Sequence, residues 1–309
     1  MHEPLAAREV VLGRSTHVRR ILPHRRHRMI GAWCFLDHYG PDDVTIDGGM
    51  WVPPHPHTGL QTVTWLFEGT GIHTDSLGSH QEIRPGQLNV MTAGRGICHA
   101  EVSPPDAPQY LHGVQLWVCL PDEARDATPP AFDHLADLPR LVEPGIELTV
   151  FVGELAGCAS AAPTYTPLVG AELRMAPGAS VNLPLREDFE HGVLAVSEDL
   201  IVAGTDLPRH RMSYQGCGRS ELAIATSPTS TEESIVLLIG GEPFAEEIVM
   251  WWNFIGRSHE EIVEQREAWN EGGFGGRPAR FGTVEDFGEK RLLAPVLPTV
   301  RLKARGRIG

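Results

Sequence analysis

No run in the chain approaches the ~18–20 uninterrupted apolar residues of a membrane span. Its start, MHEPLAAREVVLGRSTHVRR, lacks the apolar stretch of a secretory signal. A cytoplasmic protein without a membrane partner is expected. Cysteine is scarce: Cys34, Cys98, Cys119, Cys158 and Cys217 are odd in number, widely spaced and without a CxxC pair. That pattern argues against a disulfide framework and a cysteine-based zinc site, and predicts reduced thiols. Basic residues are the minority, 26 Lys and Arg against 40 Asp and Glu, for a net charge of −14. Such a surface opposes binding to nucleic acid or anionic lipid, so no direct nucleic-acid partner is expected. A Walker loop, a dinucleotide fingerprint and a nucleophile elbow are all missing.

What is present reads as β-structure. The 309 residues include 33 glycines and 25 prolines, dispersed among short apolar runs, as in strands joined by tight turns. Leu60 to Phe67 alternates, with Val63, Trp65 and Phe67 on one face and Thr62, Thr64 and Leu66 on the other. About six such runs up to Leu120 predict a small barrel or jelly roll. The proline-rich stretch 121–145 reads as a linker crossing the surface, and 146–257 as a second strand-rich block. The Ala176-Pro177-Gly178 turn of that block echoes Arg84-Pro85-Gly86 in the first, as in a degenerate repeat. Residues 258–309 follow as a helix and tail. Ser258 is the expected N-cap, with Glu261 completing a capping box, Ile262 and Trp269 packing inward and Gly272-Gly273 as the stop. The last twenty residues carry six basic and no acidic side chains and read as a solvated extension covering the barrel. The cluster RRILPHRRHR, from Arg19 to Arg28, reads as an exposed β-ribbon.

Histidine is distributed unevenly: 12 of the 15 lie at or before His134, so their chemistry belongs to the first half. In GMWVPPHPHTGL and MTAGRGICHAEVSPP, strand alternation turns His55 and His57 to one side, and His99 and Glu101 likewise. Neutral imidazoles and a carboxylate suit a divalent transition metal, and three His with one carboxylate leave coordination positions open. Two such pairs about 40 residues apart are harder to explain as ordinary surface histidines than one would be. Gly49, six residues before His55, gives the G-x5-H-x-H opening of a cupin barrel. Cys98, beside His99, should face the other way.

The run HPHTGLQTVTWLFEGTGIHTDSLGSHQEIRPGQLNVMTAGRGICHAE resembles the signature of the pirin family. RRHRMIGAWCFLDHYGP and LPDEARDATPPAFDHLADLPR extend the likeness over approximately residues 15 to 140. LRMAPGASVNLPL and LLIGGEPFAEEIVMWWNFIG carry it more weakly beyond. The resemblance implies an all-β bicupin: two antiparallel jelly-roll barrels packed together, the metal in the first, residues 1–120, with a short C-terminal helix. Since residues 146–257 contain no H-x-H and no H-x-E, the second barrel is expected to be metal-free. Carried over, the family's ligands fall on His55, His57, His99 and Glu101, and the implied metal is Fe(II), with Mn, Ni, Cu or Zn as alternatives. Gln61 stands where many pirins have glutamate, an expected loss of negative charge near the metal, and Trp65 stands where tyrosine is more usual. His73 and Asp75 resemble a fixed pirin turn that orients a ligand.

Two functions follow from the resemblance. One is a dioxygenase acting on a flavonol such as quercetin, with dioxygen as co-substrate and Glu101 as ligand and general base. Gln61, Trp65, Phe67 and Trp117 are then expected at the substrate. The other is a non-catalytic redox-sensing metal protein that regulates a partner protein. A sugar-isomerase cupin fits less well, given Gln61 and MTAGRGICHAE. Monomer is the default expectation.

Overall fold

The computed structural model describes residues 4–12, 16–272, 280–285, 287 and 290–308. The architecture is two face-to-face sheet pairs repeated along the chain. In the first half a seven-stranded antiparallel sheet runs in the order Ala131–Leu135, Leu88–Thr92, Leu60–Glu68, Tyr110–Cys119, Trp33–Asp43, Thr16–Leu22, Arg8–Leu12. A four-stranded sheet, Trp51–His57, Ile97–Val102, Gly71–Asp75, His80–Ile83, closes it. The second half repeats the plan with an eight-stranded and a four-stranded sheet. This is the bicupin arrangement expected from the sequence.

Both faces of the larger first sheet are buried, and alternation assigns them opposite jobs. Phe35, Asp37 and Tyr39 stand in register with Trp117, Gln115 and Gly113, and these with Thr62, Thr64 and Leu66. This row faces the interior of the first barrel. The intervening row, with Leu36, Val63, Trp65, Phe67, Val114 and Leu116, joins one apolar cluster with Phe151, Leu194, Met212, Leu237 and Ile239 of the second half. Two tryptophans of the first half add directed bonds. Trp33 Nε1 donates to the carbonyls of Gly240 (3.0 Å) and Val169 (3.2 Å), and Trp65 Nε1 donates to Glu172 Oε2 (2.6 Å) while its ring stacks on Phe151. Buried indole N–H groups need partners, and the second barrel supplies them. His38 and His112 lie on the same outer row, Nε2 to Nε2 2.8 Å, with the ring of His210 5.3 Å from His38.

The interior of the second barrel is filled by Leu148, Val150, Leu173, Val193, Val236 and Leu238 among others. His191 lies on the same strand face as Val193 and Ala195.

Several segments cross between the halves more than their sequence indicates. Leu5–Ala6 pairs with Arg211–Gln215 in the second barrel. The stretch read as a linker contains Ala131–Leu135, paired with Leu88–Thr92, and Arg140–Glu143, paired with Ile146–Leu155. It therefore gives one edge strand to each barrel, as proline at the flanks of edge strands permits. The Arg19–Arg28 cluster turns to internal partners: Arg20 to Asp37, Arg19 to the Gly40 carbonyl, Arg28 to the Ile308 carbonyl. The basic tail bonds back too, with Arg307 Nη1 2.7 Å from the buried Glu190 Oε2 and Ile248 bridged to Arg305.

The C-terminal helix runs His259–Glu271, with Ser258 Oγ accepting from Glu261 N (3.2 Å) and Ile262, Gln265 and Trp269 buried. Only half of the capping box forms, since Glu261 Oε2 accepts from Arg257 N instead. Gly272 is the C-cap; Gly273 lies outside the described residues. Among the described residues, no helix is long and apolar enough to cross a membrane.

Candidate metal centre

Strands Trp51–His57 and Ile97–Val102 pair antiparallel, with His55 opposite His99 and His57 opposite Ile97. Between His99 and Glu101 the register shifts, so that Val52 to His55 spans the same length as Glu101 to His99. The extra residue falls beside Pro53-Pro54, which has no N–H to give the ladder, and a bulge is the local answer. Alternation elsewhere holds, and the rings of His55, His57 and His99 meet inside the barrel at centroid distances of 4.3 to 5.1 Å. One nitrogen from each lies within 4.8 Å of the others. Glu101 groups within the same limit with His99 and His73, so the two triads share His99. Cys98 turns the other way, its Sγ 3.5 Å from the Gly282 carbonyl.

Burial governs the electrostatics. It lowers His55 to about 4 and His57 and His99 well below the ordinary histidine value, leaving neutral imidazoles with lone pairs to offer. Burial raises the Glu101 carboxyl, opposed by His73 and the Thr64 hydroxyl.

Hydrogen bonds select which nitrogens are free. His55 Nδ1 lies 3.0 Å from the Pro53 carbonyl, which can only accept, so Nδ1 carries the proton and Nε2 the lone pair. Asp75 Oδ1 is pinned by the backbone N–H groups of Leu77 and Ser79, and its Oδ2 lies 3.1 Å from His73 Nε2. An ionised Asp75 accepts, so His73 donates from Nε2. Its Nδ1 lies 3.2 Å from His99 Nδ1, a contact that occupies this nitrogen of His99 and leaves Nε2 turned to the other rings. His99 Nε2 and His57 Nδ1 are buried without a hydrogen-bond partner among the described residues. Neutral donors and orphaned nitrogens fit a metal ion.

The centre opens on a cavity of about 330 Å³ walled by Phe35, Tyr39, Met50, Val52, Gln115, Trp117, Trp252 and Leu292, with Arg20 and Asp37 at one side. Phe35 and Trp117 stack at 4.0 Å, and Trp117 meets His57 edge-on at 5.2 Å. Of the expected substrate contacts, Trp117 lines this space. Gln61, Trp65 and Phe67 do not. They lie on the outer row: Gln61 Nε2 reaches Thr92 Oγ1 (3.0 Å) and the Pro163 carbonyl (3.2 Å), Trp65 bonds Glu172, and Phe67 meets His112 edge-on at 5.0 Å. The expectation that Gln61 alters charge beside the metal is corrected accordingly. On the inner row of the same strand, Thr64 is the residue whose Oγ1 lies 3.2 Å from Glu101 Oε1. His73 Nδ1 lies 3.2 Å from His99 Nδ1. Phe35, Tyr39, Gln115, Trp252 and Leu292 went unrecognised in the sequence. Inner-row alternation from Trp117 would have found Gln115; nothing local marks Trp252 or Leu292.

Fold and centre together define a bicupin with a histidine-rich pocket in its first barrel. Residues 15–118 match the Pirin family and residues 170–275 the Pirin C-terminal cupin domain, and the chain belongs to the pirin family. It is 46% identical over 95% of its length, and 90% of the relative's, to a Pseudomonas aeruginosa protein whose name assigns it provisionally as a quercetin 2,3-dioxygenase. Human pirin is 31% identical over 84% of this chain and 88% of its own. A crystal structure of quercetin 2,3-dioxygenase from Acinetobacter baumannii superposes with a TM-score of 0.90 at 43% identity, covering 98% of this chain and 97% of that one.

Proposed function

We propose that the chain is a metal-dependent dioxygenase of quercetin-type flavonols, with His55, His57, His99 and Glu101 holding one divalent transition metal, Fe(II) foremost, then Mn, Ni, Cu or Zn. The observation that carries the reading is the convergence of three neutral, buried imidazoles at the end of a pocket walled by stacked aromatic rings. The names of the relatives support the substrate class. When bound, the metal supplies a Lewis acid for the substrate hydroxyl and an electron path for dioxygen.

The residues do the rest. Phe35 and Trp117 present an apolar surface for the flavonol rings and keep water from them. Glu101 accepts the proton of the substrate hydroxyl, and burial, by raising its carboxyl, makes it a stronger base than an exposed glutamate. His73, itself bonded to Asp75, orients the His99 ring through its Nδ1. The second barrel backs the sheet that carries Trp117. A cytoplasmic monomer without nucleic-acid or membrane partners completes the proposal.

Oxygen uptake with quercetin by protein reconstituted separately with iron, manganese, nickel and copper tests it. Turnover with one metal supports the dioxygenase. No uptake with any fully loaded metal moves the same four residues to a redox-sensing role with a regulatory protein partner.

A further inference from the structure

On the inner face of the first barrel, four strands place one side chain each in a single register: Arg20 opposite Asp37, Asp37 opposite Gln115, Gln115 opposite Thr64. Arg20 and Asp37 satisfy one another through two bonds of 2.7 Å, Nε to Oδ1 and Nη2 to Oδ2. Thr64 Oγ1 lies 3.0 Å from Gln115 Oε1 and 3.2 Å from Glu101 Oε1. The other end of the Gln115 carboxamide is left over. Its Nε2 is buried in the cavity wall without a hydrogen-bond partner among the described residues. One step along, Tyr39 stands opposite Gly113, and its hydroxyl is likewise buried and unpartnered there. Glycine keeps that position open, because a Cβ on residue 113 would come within 2.7 Å of Tyr39 Oη. One step the other way lies the stacked Phe35–Trp117 pair.

Each buried polar group without a partner costs ~1–3 kcal/mol, so two beside one another in a cavity call for a ligand that satisfies them. We propose that Gln115 and Tyr39 orient the substrate: a planar aromatic molecule lies against Phe35 and Trp117 and directs an oxygen-bearing edge to Gln115 Nε2 and Tyr39 Oη. The inference deepens the dioxygenase reading and rests on it for the substrate class. It also makes the pocket selective, since an aromatic lacking that oxygen leaves both groups unpaired.

The test is an anaerobic titration of metal-loaded wild type, Gln115→Leu and Tyr39→Phe, followed by tryptophan fluorescence. Quercetin and 2-phenylnaphthalene, an oxygen-free molecule of similar outline, are the probes. Gln115→Leu should weaken quercetin about tenfold and change 2-phenylnaphthalene by less than about twofold, with Tyr39→Phe acting in the same sense. Should Gln115→Leu fail to fold, Gln115→Glu keeps the shape but has no N–H and should give the same selective loss. Equal effects on both probes, or none on either, overturn the assignment. A selective loss without oxygen uptake by wild type leaves the assignment standing and removes the dioxygenase. Uptake by wild type with unchanged binding in Gln115→Leu does the reverse, and no quercetin binding by wild type overturns both.

Discussion

His55 and His99 face one another across the antiparallel strand pair that carries them, their ring centroids 4.3 Å apart. The pairing is a property of register: slipping either strand by one residue would turn one ring out of the barrel. His57 joins them from the next inward position of its strand. Replacing His57 by alanine should therefore lower metal content several-fold while the fold persists. Stoichiometric metal in His57→Ala, by elemental analysis, would remove this residue from the ligand set.

In the proposed centre, His73 stands behind His99, 3.2 Å from its Nδ1. Replacing it with alanine removes the partner of Asp75 Oδ2 and the contact at His99 Nδ1. Metal affinity should fall by about 10–100-fold, read by competition with a chelator. Unchanged affinity would show that the Asp75–His73–His99 chain does not set the donor atom.

Gln61 faces away from the cavity, toward Thr92 and the Pro163 carbonyl. Gln61→Glu should therefore leave metal content and turnover unchanged. It should instead destabilise the protein by ~1–3 kcal/mol, because the carboxylate cannot donate to the carbonyl and is buried beside it. A changed metal potential with unchanged stability would place position 61 at the centre after all.

Trp65 and Trp117 separate stability from binding. Trp65→Phe takes one donor from the buried Glu172, which keeps Arg174 at 2.6 Å, and should cost ~1–3 kcal/mol in denaturant unfolding, with flavonol affinity unaltered. Trp117→Ala should weaken flavonol binding, having removed half of a stacked wall. The opposite assignment of effects would mean that the two faces of the sheet have been exchanged.

Alternation shows which residues share a face but not which face is inside. Here the second barrel covers the outer row, so Val63, Trp65 and Phe67 are as apolar as a cavity lining, while Thr62 and Thr64 point inward. That is why Trp65 and Phe67 were expected at the substrate and are found between the barrels. The H-x-H and H-x-E pairs stand out in the sequence because their side chains recur at period two, which turns each pair to one face whatever the register. Trp252 and Leu292 were not legible, since they reach the cavity through a hairpin and a tail distant in sequence. The edge strands of the linker were hidden by their flanking prolines.

Burial at the interface makes stability pH-dependent. His112 and His210 are lowered to about 4 by burial, and His38 also lies well below the ordinary value. A depressed histidine takes up protons in the unfolded chain before it does in the folded one. Its contribution is thus complete above pH ~6.5 and is lost as pH falls toward 4. Melting of metal-free protein should drop by at least about 5 °C between pH 7 and pH 5, and less steeply in His112→Gln. A flat profile would show that these rings are protonated in the folded state.

The most direct measurement is metal stoichiometry and quercetin-dependent oxygen uptake on the same preparations of reconstituted wild type and His99→Ala. One metal per chain with uptake in wild type, and loss of both in His99→Ala, is the predicted result. Full metal occupancy in folded His99→Ala would contradict the proposed centre.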